Sequence, residues 1–350
     1  MPKKYTMRYL KFLLLTTIIA CTGGNQSQTE ESSETEVQEL NVYSHRHYDA
    51  DKLAFEKFTE ATGIKINLVR AGADELISRL ETEGENSPAD VLITVDAAKL
   101  NRAKSMGLLQ PVDANTSNED TFIDAEKYWY AMTYRARVIA YDKERVDLSE
   151  LSTYEDLADE KWKNRIVIRS STSSYNQSLM SSIIHENGSE VAGEWAKGIV
   201  NNLAREPKGG DRDQIKAIAS GVGDLAIVNT YYVGLLLNSE NPEEVEAGEG
   251  VGIYFPNQDG RGGHINISGI GVTKNAPNKA NAIKFIEFMT SEEIQKLYAS
   301  TSFEYPVHSG VSADSTIAAW GEFKIDNLEY ANNPELLEEA IKLFDEAGWN

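Results

Sequence analysis

Three stretches place phenols among polar neighbours: Ser44-His-Arg-His-Tyr48, Ser170-Ser-Thr-Ser-Ser-Tyr175-Asn-Gln177 and Asn229-Thr-Tyr-Tyr232. A phenol titrates near pH 10, so an unassisted tyrosine is neutral at pH 7. A bound trivalent cation can drive that proton off. Ferric iron is hard and prefers anionic oxygen donors, and tyrosinate is a known ligand to ferric haem. Three tyrosinates would balance a 3+ ion; a fourth would leave the site negative and call for a nearby guanidinium. Tyr231 and Tyr232 are adjacent, and on a flat strand they would point to opposite faces. At a strand-to-helix turn their side chains splay by roughly 100° and can converge on one point. Taken alone, the pair is also explained by aromatic packing.

Histidine adds less. His47 can supply an imidazole or lie exposed on its loop, and His45 is expected in solvent, because alternate residues of an extended loop diverge. His185, His264 and His308 show no metal-ligand spacing and read as structural. Other chemistries lack their patterns: there is no HExxH, CxxC, EF-hand, GxxxxGK[ST] or GxGxxG. The serines at 170–174 form no nucleophile elbow. Gln258-Asp-Gly-Arg-Gly-Gly263 can cradle an anion or make a turn beside a hinge.

The phenol stretches each follow a segment that reads as a strand. Leu40–Tyr43 is a short strand, 50–62 a helix ended by Gly63, and Ile64–Leu68 a half-buried strand. A helix at 73–83, a strand at 90–95 and a helix running to Gly107 continue the alternation, which predicts a mostly parallel sheet covered on both faces. Tyr128–Tyr134 and Val138–Tyr141 then bracket Arg135-Ala-Arg137 in one long extended segment that connects two lobes. A second alternating unit runs from a strand at Arg165–Arg169 through helices at 175–186, 189–201 and 211–220 to the strand Leu225–Val228. Gly263–Thr273 is the return crossing. Helices at 279–290, 291–300 (N-capped by Ser291) and 334–347 close the chain.

The predicted fold is therefore α/β, with two lobes joined by extended hinge crossings. Lobe 1 comprises 40–134 plus 264–310, and lobe 2 comprises 135–263 plus 311–350. Ligands of open α/β sheets bind beyond the carboxyl ends of strands, and two such lobes make a cleft that closes by a hinge.

At 350 residues the chain is long enough for about two domains. Its 25% charged and 41% hydrophobic composition is that of an ordinary globular protein, and its net charge of −21 argues against nucleic acid or an anionic membrane as the main partner. At the N-terminus Lys3, Lys4, Arg8 and Lys11 precede an apolar run, 12–20, too short to span a bilayer. That run ends Ile18-Ile19-Ala20-Cys21, and Cys21 is the only cysteine. Residues 1–20 read as a signal peptide, either an ordinary one or a lipoprotein signal whose cleavage exposes Cys21 for lipidation. Residues 21–39 are Ser-, Thr-, Glu- and Gln-rich and read as a flexible tether.

Seven pieces, in order along nearly the whole mature chain, carry a resemblance to a known family: Val42-Tyr-Ser-His-Arg-His-Tyr48, Ser87-Pro-Ala-Asp-Val-Leu92, Arg135-Ala-Arg-Val138, Ser174-Tyr-Asn-Gln-Ser178, Asn229-Thr-Tyr-Tyr232, Phe255-Pro-Asn-Gln-Asp-Gly-Arg-Gly262 and Asn266-Ile-Ser-Gly269. From Leu40 to Asn350 the chain resembles the periplasmic ferric-iron-binding proteins of bacterial ABC importers, in their cyanobacterial-type, tyrosine-rich branch. The resemblance implies the two-lobe type II periplasmic-binding-protein fold. It implies Fe(III) held by Tyr48, Tyr175, Tyr231 and Tyr232, with His47 a ligand in some members, and Arg135 offsetting excess tyrosinate charge; Arg137 is the second candidate for that role. Related sequences often carry a basic residue where this chain has Leu235, which leaves a second compensating arginine without a place. Function follows as an expectation: an extracytoplasmic, monomeric Fe(III) receptor, lipid-anchored through Cys21, that serves an ABC permease and ATPase and is not an enzyme. Its rivals are a same-fold receptor for a small organic or anionic solute and a surface-anchored hydrolase using Ser174 or His47, for which no base–nucleophile–orienter set is visible.

Overall fold

The computed structural model describes residues 38–350. The expected signal peptide, Cys21 and nearly all of the tether lie outside the described residues. In chain order the elements are β1 (Glu39–Ser44), α1 (Asp49–Thr62), β2 (Lys65–Arg70), α2 (Ala73–Glu83), β3 (Val91–Thr94), α3 (Ala97–Ser105) and β4 (Leu109–Gln110). The long β5 (Trp129–Asp142) leads to α4 (Ser174–Asn187), α5 (Ser189–Asn201), α6 (Asp211–Ala219), β6 (Leu225–Asn229), α7 (Thr230–Leu237), α8 (Pro242–Gly250) and β7 (Val251–Tyr254). β8 (Ile265–Thr273), α9 (Lys279–Met289), α10 (Glu292–Ser302), β9 (Tyr305–Pro306), α11 (Ser315–Ala318) and α12 (Glu335–Ala347) complete the chain. No helix among the described residues is long and apolar enough to cross a membrane.

Strand order is β2-β1-β3-β8-β5-β6, with β4 on β8 and β7 and β9 on β5. Among the described strands only β2-β1-β3 pair in parallel, beside isolated parallel bridges at Ile166 and Gly263. The prediction of a mostly parallel sheet fails because the two long crossing strands run against their neighbours: β8 is antiparallel to β3 and to β5. β5 serves two sets of partners. Its residues 129–136 pair with β8, and residues 137–142 pair with β6 and β7. Arg135 and Arg137, two apart and so on one face, stand where the partners change.

The expected strand at 165–169 is reduced to isolated bridges from Ile166 to Leu203 and Leu225. α8 and β7 are not in the expected order of elements, although α8 opens on a helix-start signal, Asn241 capping the Glu243 N–H with Pro242 at the first position. Gly63 ends α1 in the left-handed conformation at φ 72°, as its position predicted. Ser291 occupies the N-cap of α10, but its hydroxyl donates back to Phe288 O rather than capping the helix.

Three apolar clusters hold the elements. Phe58, Phe285 and Tyr298 lie with β1 and β3 in one, and Trp162, Trp195 and Trp349 tie α12 to α4 and α5 in another. The third contains Leu100, Trp129, Tyr231 and Phe303, so one member of the tyrosine pair is rooted in the core.

Candidate metal centre

Each phenol hangs from the first turn of a helix. Tyr48 is the N-cap of α1, Tyr175 is the second residue of α4, and Tyr231 and Tyr232 are the second and third of α7. Helix N-termini carry partial positive charge and unpaired N–H groups, so three of them converging favour negative oxygen. Their meeting is tight. Tyr48 Oη lies 3.1 Å from Tyr175 Oη and 3.0 Å from Tyr231 Oη, and Tyr175 Oη lies 3.5 Å from Tyr231 Oη. The Tyr232 ring stands 4.0 Å from that of Tyr231, tilted by 32°. The strand-to-helix switch at Asn229 thus turns adjacent side chains to one side. α7 is pressed into place: a Cβ on Gly234 would come 2.8 Å from Phe303 Cβ.

The surroundings treat the four phenols unequally. Burial, then the neighbouring Tyr175 and Tyr232, pushes the Tyr48 phenol well above its usual range. Burial and the phenols of Tyr175, Tyr48 and Tyr232 do the same to Tyr231, and burial followed by Tyr175 and Asp211 raises Tyr232. Tyr175 goes the other way. Burial opposes its ionisation, but Arg135 and hydrogen bonds from Tyr231 and Tyr48 overcome it and lower its pKa. One phenol is thus prepared to lose its proton first.

Two buried charge networks hold the site. In the first, Arg46 Nε donates to Asp51 at 2.7 Å and Nη2 to Glu304 at 2.8 Å, and Asp51 accepts from the Tyr48 backbone N–H. Arg46 Nη1 and Arg135 Nη1 both donate to Ser268 Oγ, each at 2.6 Å, and Arg135 Nη1 lies 3.5 Å from Glu304. Arg135 Nη2 donates to Val95 O at 2.7 Å and reaches Tyr175 Oη at 3.5 Å. In the second, Asp211 accepts from Arg137, from Arg169 and from the Asn229 backbone N–H that precedes the tyrosine pair.

The expected residues therefore separate. Tyr48, Tyr175, Tyr231 and Arg135 are brought into direct contact, with Tyr232 beside them. Arg137 is instead committed to Asp211 at 2.7 Å and to Asn176 at 2.6 Å. His47 is exposed, its ring stacked on that of Tyr48 with centroids 5.0 Å apart. His45 is not in solvent as expected: its backbone N–H donates to Ile93 O, the ring is half-buried, and burial holds its pKa down at about 4. His264 is fully buried, in keeping with a structural role. Arg46, Asp51, Arg169, Asp211, Ser268 and Glu304 were not singled out. Arg46 lies inside the Ser44–Tyr48 stretch, but single acids in so acidic a chain give no signal.

Among the described residues no group of three His, Cys, Asp or Glu side chains is arranged to hold a metal ion. A hollow of about 1160 Å³ between 96–105, 119–126 and 323–332 lies elsewhere, and none of the four phenols lines it.

Residues 54–325 match the family described as bacterial extracellular solute-binding protein. The chain is 50% identical to iron uptake protein A1 of Synechocystis sp. over 317 residues, 90% of this chain and 88% of that protein. Its structure is similar to a Trichodesmium protein (IdiA, FutA) solved in complex with iron and citrate, with TM-score 0.83, 49% identity and coverage of 89% of this chain and 100% of that one. It is also similar to the ferric binding protein of Campylobacter jejuni, with TM-score 0.85, 48% identity and the same coverage. The architecture shared with these structures is the type II periplasmic-binding-protein fold.

Proposed function

The chain belongs to the bacterial extracellular solute-binding proteins, among the iron uptake and ferric-binding proteins, and from that premise we propose that it is the extracytoplasmic Fe(III) receptor of an ABC importer. The observation that carries this reading is the triangle of phenol oxygens 3.0 to 3.5 Å on a side, drawn from three helices remote in sequence. Fe(III) is the cargo. Tyr48, Tyr175, Tyr231 and Tyr232 bind it as tyrosinates, and the exposed His47 beside Tyr48 is placed to add an imidazole. Arg135 steadies the first phenolate to form, that of Tyr175.

Tyr48 comes from the segment assigned to lobe 1 and the other three phenols from lobe 2, so binding closes one lobe on the other, with the middle of β5 and β8 as the hinge. Reduction assists release, because Fe(II) is a poorer partner for several phenolates. The iron passes to a permease driven by an ATPase, and the receptor itself catalyses nothing. The Ile18–Cys21 sequence supports export as a lipoprotein anchored through Cys21. An organic solute packed between the tyrosines is disfavoured, since the phenols already touch one another.

Adding Fe(III) to the purified protein is expected to give a visible phenolate-to-iron charge-transfer band. Tyr231→Phe and Tyr232→Phe are each expected to weaken Fe(III) binding by about a hundredfold or more, a loss of about 3 kcal/mol. A colourless wild-type mixture without bound iron would overturn the proposal.

A further inference from the structure

Charge around the phenols is unevenly balanced. On one side the guanidiniums of Arg46 and Arg135 face three carboxylates. Glu304 pairs with both, Asp51 pairs with Arg46, and Asp96 lies within the field of Arg135. On the other side two guanidiniums share one carboxylate: Asp211 accepts from Arg137 at 2.7 Å and from Arg169 at 3.1 Å. Among the described ion pairs neither has a second carboxylate. The surplus positive charge therefore stands next to Tyr175, whose ring centroid lies 5.3 Å from Arg169 Cζ and 5.7 Å from Arg137 Cζ.

Of the two, Arg169 is the less committed. Arg137 is fully buried, with short bonds to Asp211 and Asn176, and it pins the strand end that carries the tyrosine pair. The Arg169 side chain is 22% exposed and holds Asp211 through the longer contact. Its charge also acts on Tyr232, favouring the phenolate there.

We propose that Arg169 is the second charge-compensating side chain of the site, the cation that offsets the fourth tyrosinate once iron is bound. The inference rests on the ferric reading above. It gives the compensating role a place in the segment leading to α4, whereas position 235 of α7 carries leucine. Arg135 is already answered by Glu304, so the two arginines divide the work. Arg135 orients and primes Tyr175, while Arg169 balances the loaded site. Fe(III) with four tyrosinates carries one net negative charge. With three tyrosinates the loaded site would be neutral, and a nearby cation would have nothing to offset.

The test is competitive Fe(III) titration, and measurement of the bound iron's reduction potential, on wild type, Arg169→Gln and Arg169→Lys. The backbone carbonyl of Arg169 accepts from Trp349 Nε1 and Asn176 Nδ2, and a side-chain change leaves both bonds in place. Arg169→Gln is expected to bind Fe(III) about tenfold more weakly, the Coulomb effect of one charge after screening by Asp211 and water. Its potential should fall, because the Fe(II) form is more negative still and loses more; a further tenfold difference corresponds to about 60 mV. Arg169→Lys should keep affinity within about threefold of wild type on the same Coulomb argument. A merely structural residue would lower the melting temperature and leave the potential unmoved. Wild-type affinity and potential in Arg169→Gln would overturn the inference, as would a lysine variant as weak as the glutamine one. Failure of wild type itself to bind iron would overturn the ferric reading instead.

Discussion

Glu304 is the pivot of the first charge network, and removing its charge should be costly in a defined way. It is fully buried, 2.8 Å from Arg46 and 3.5 Å from Arg135, both of which are also fully buried. Glu304→Gln keeps the shape but leaves Arg46 with Asp51 as its one paired carboxylate and Arg135 with neutral acceptors and the more remote field of Asp96. Stripping one partner from a buried pair typically costs about 3–5 kcal/mol. For a chain of this size that corresponds to a fall in melting temperature of about 6–10 °C. The pH dependence fixes the cause. Burial opposes ionisation of Glu304, but Arg46 and Arg135 outweigh it and lower its pKa in the folded protein. A lowered folded pKa means stability that is present above the unfolded value, near 4.5, and lost as pH falls through the folded one. The gap between wild type and Glu304→Gln should therefore be full at pH 7 and close progressively below pH 4.5. Thermal melts of the iron-free proteins across that range measure it. A gap below about 2 °C at pH 7, or one that does not narrow in acid, would refute the assignment of Glu304 as the shared counter-ion.

Two further outcomes follow from the phenols. Because Tyr48, Tyr231 and Tyr232 have pKa values raised in the folded protein, they are protonated at neutral pH and iron must displace their protons. Loading should release three protons per Fe(III) from these phenols, and a fourth to the extent that Tyr175 still holds its own, read in weakly buffered solution, and affinity should fall steeply as pH drops; release of fewer than three would count against a four-tyrosinate site. His47→Ala should leave the charge-transfer band in place and weaken binding by about tenfold at most, because the ring is exposed and its contribution must offset the loss of its own hydration; a loss as large as that of Tyr231→Phe would make His47 an essential ligand.

Legibility in the sequence followed periodicity. α2 at Ala73–Glu83 and α5 at Ser189–Asn201 match their predicted bounds because apolar residues recur there at helical spacing and the ends carry their own signals. The long β5 was readable from an unbroken run of apolar and aromatic residues. Strand direction was not, since a buried strand looks the same whether its neighbour runs with it or against it. At the site, the three phenol stretches are visible as polar loops after strands, but it is the family resemblance that selects Tyr48, Tyr175, Tyr231 and Tyr232, and folding is what brings them together. Glu304 and Asp211 were invisible for the opposite reason. An acid in a chain of net charge −21 is unremarkable until folding places it, dehydrated, between two arginines. His45 departs from the expected alternation: its backbone N–H bonds Ile93 O and its ring is half-buried, neither of which loop spacing encodes.

The site is assembled from segments far apart in the chain. Tyr48 meets Tyr231 across 183 positions, and Arg46 meets Glu304 across 258. Closing such long loops comes late and slowly in folding, because chain entropy opposes it until the intervening structure exists. If the four phenols are the donors proposed, a growing or unfolded chain offers no assembled set, however many of its tyrosines are present. On the proposed ligand set, the site with its Arg46–Glu304 support exists only in a chain folded as far as residue 304. The compartment in which folding finishes, rather than the one in which synthesis begins, decides which ions the protein first encounters.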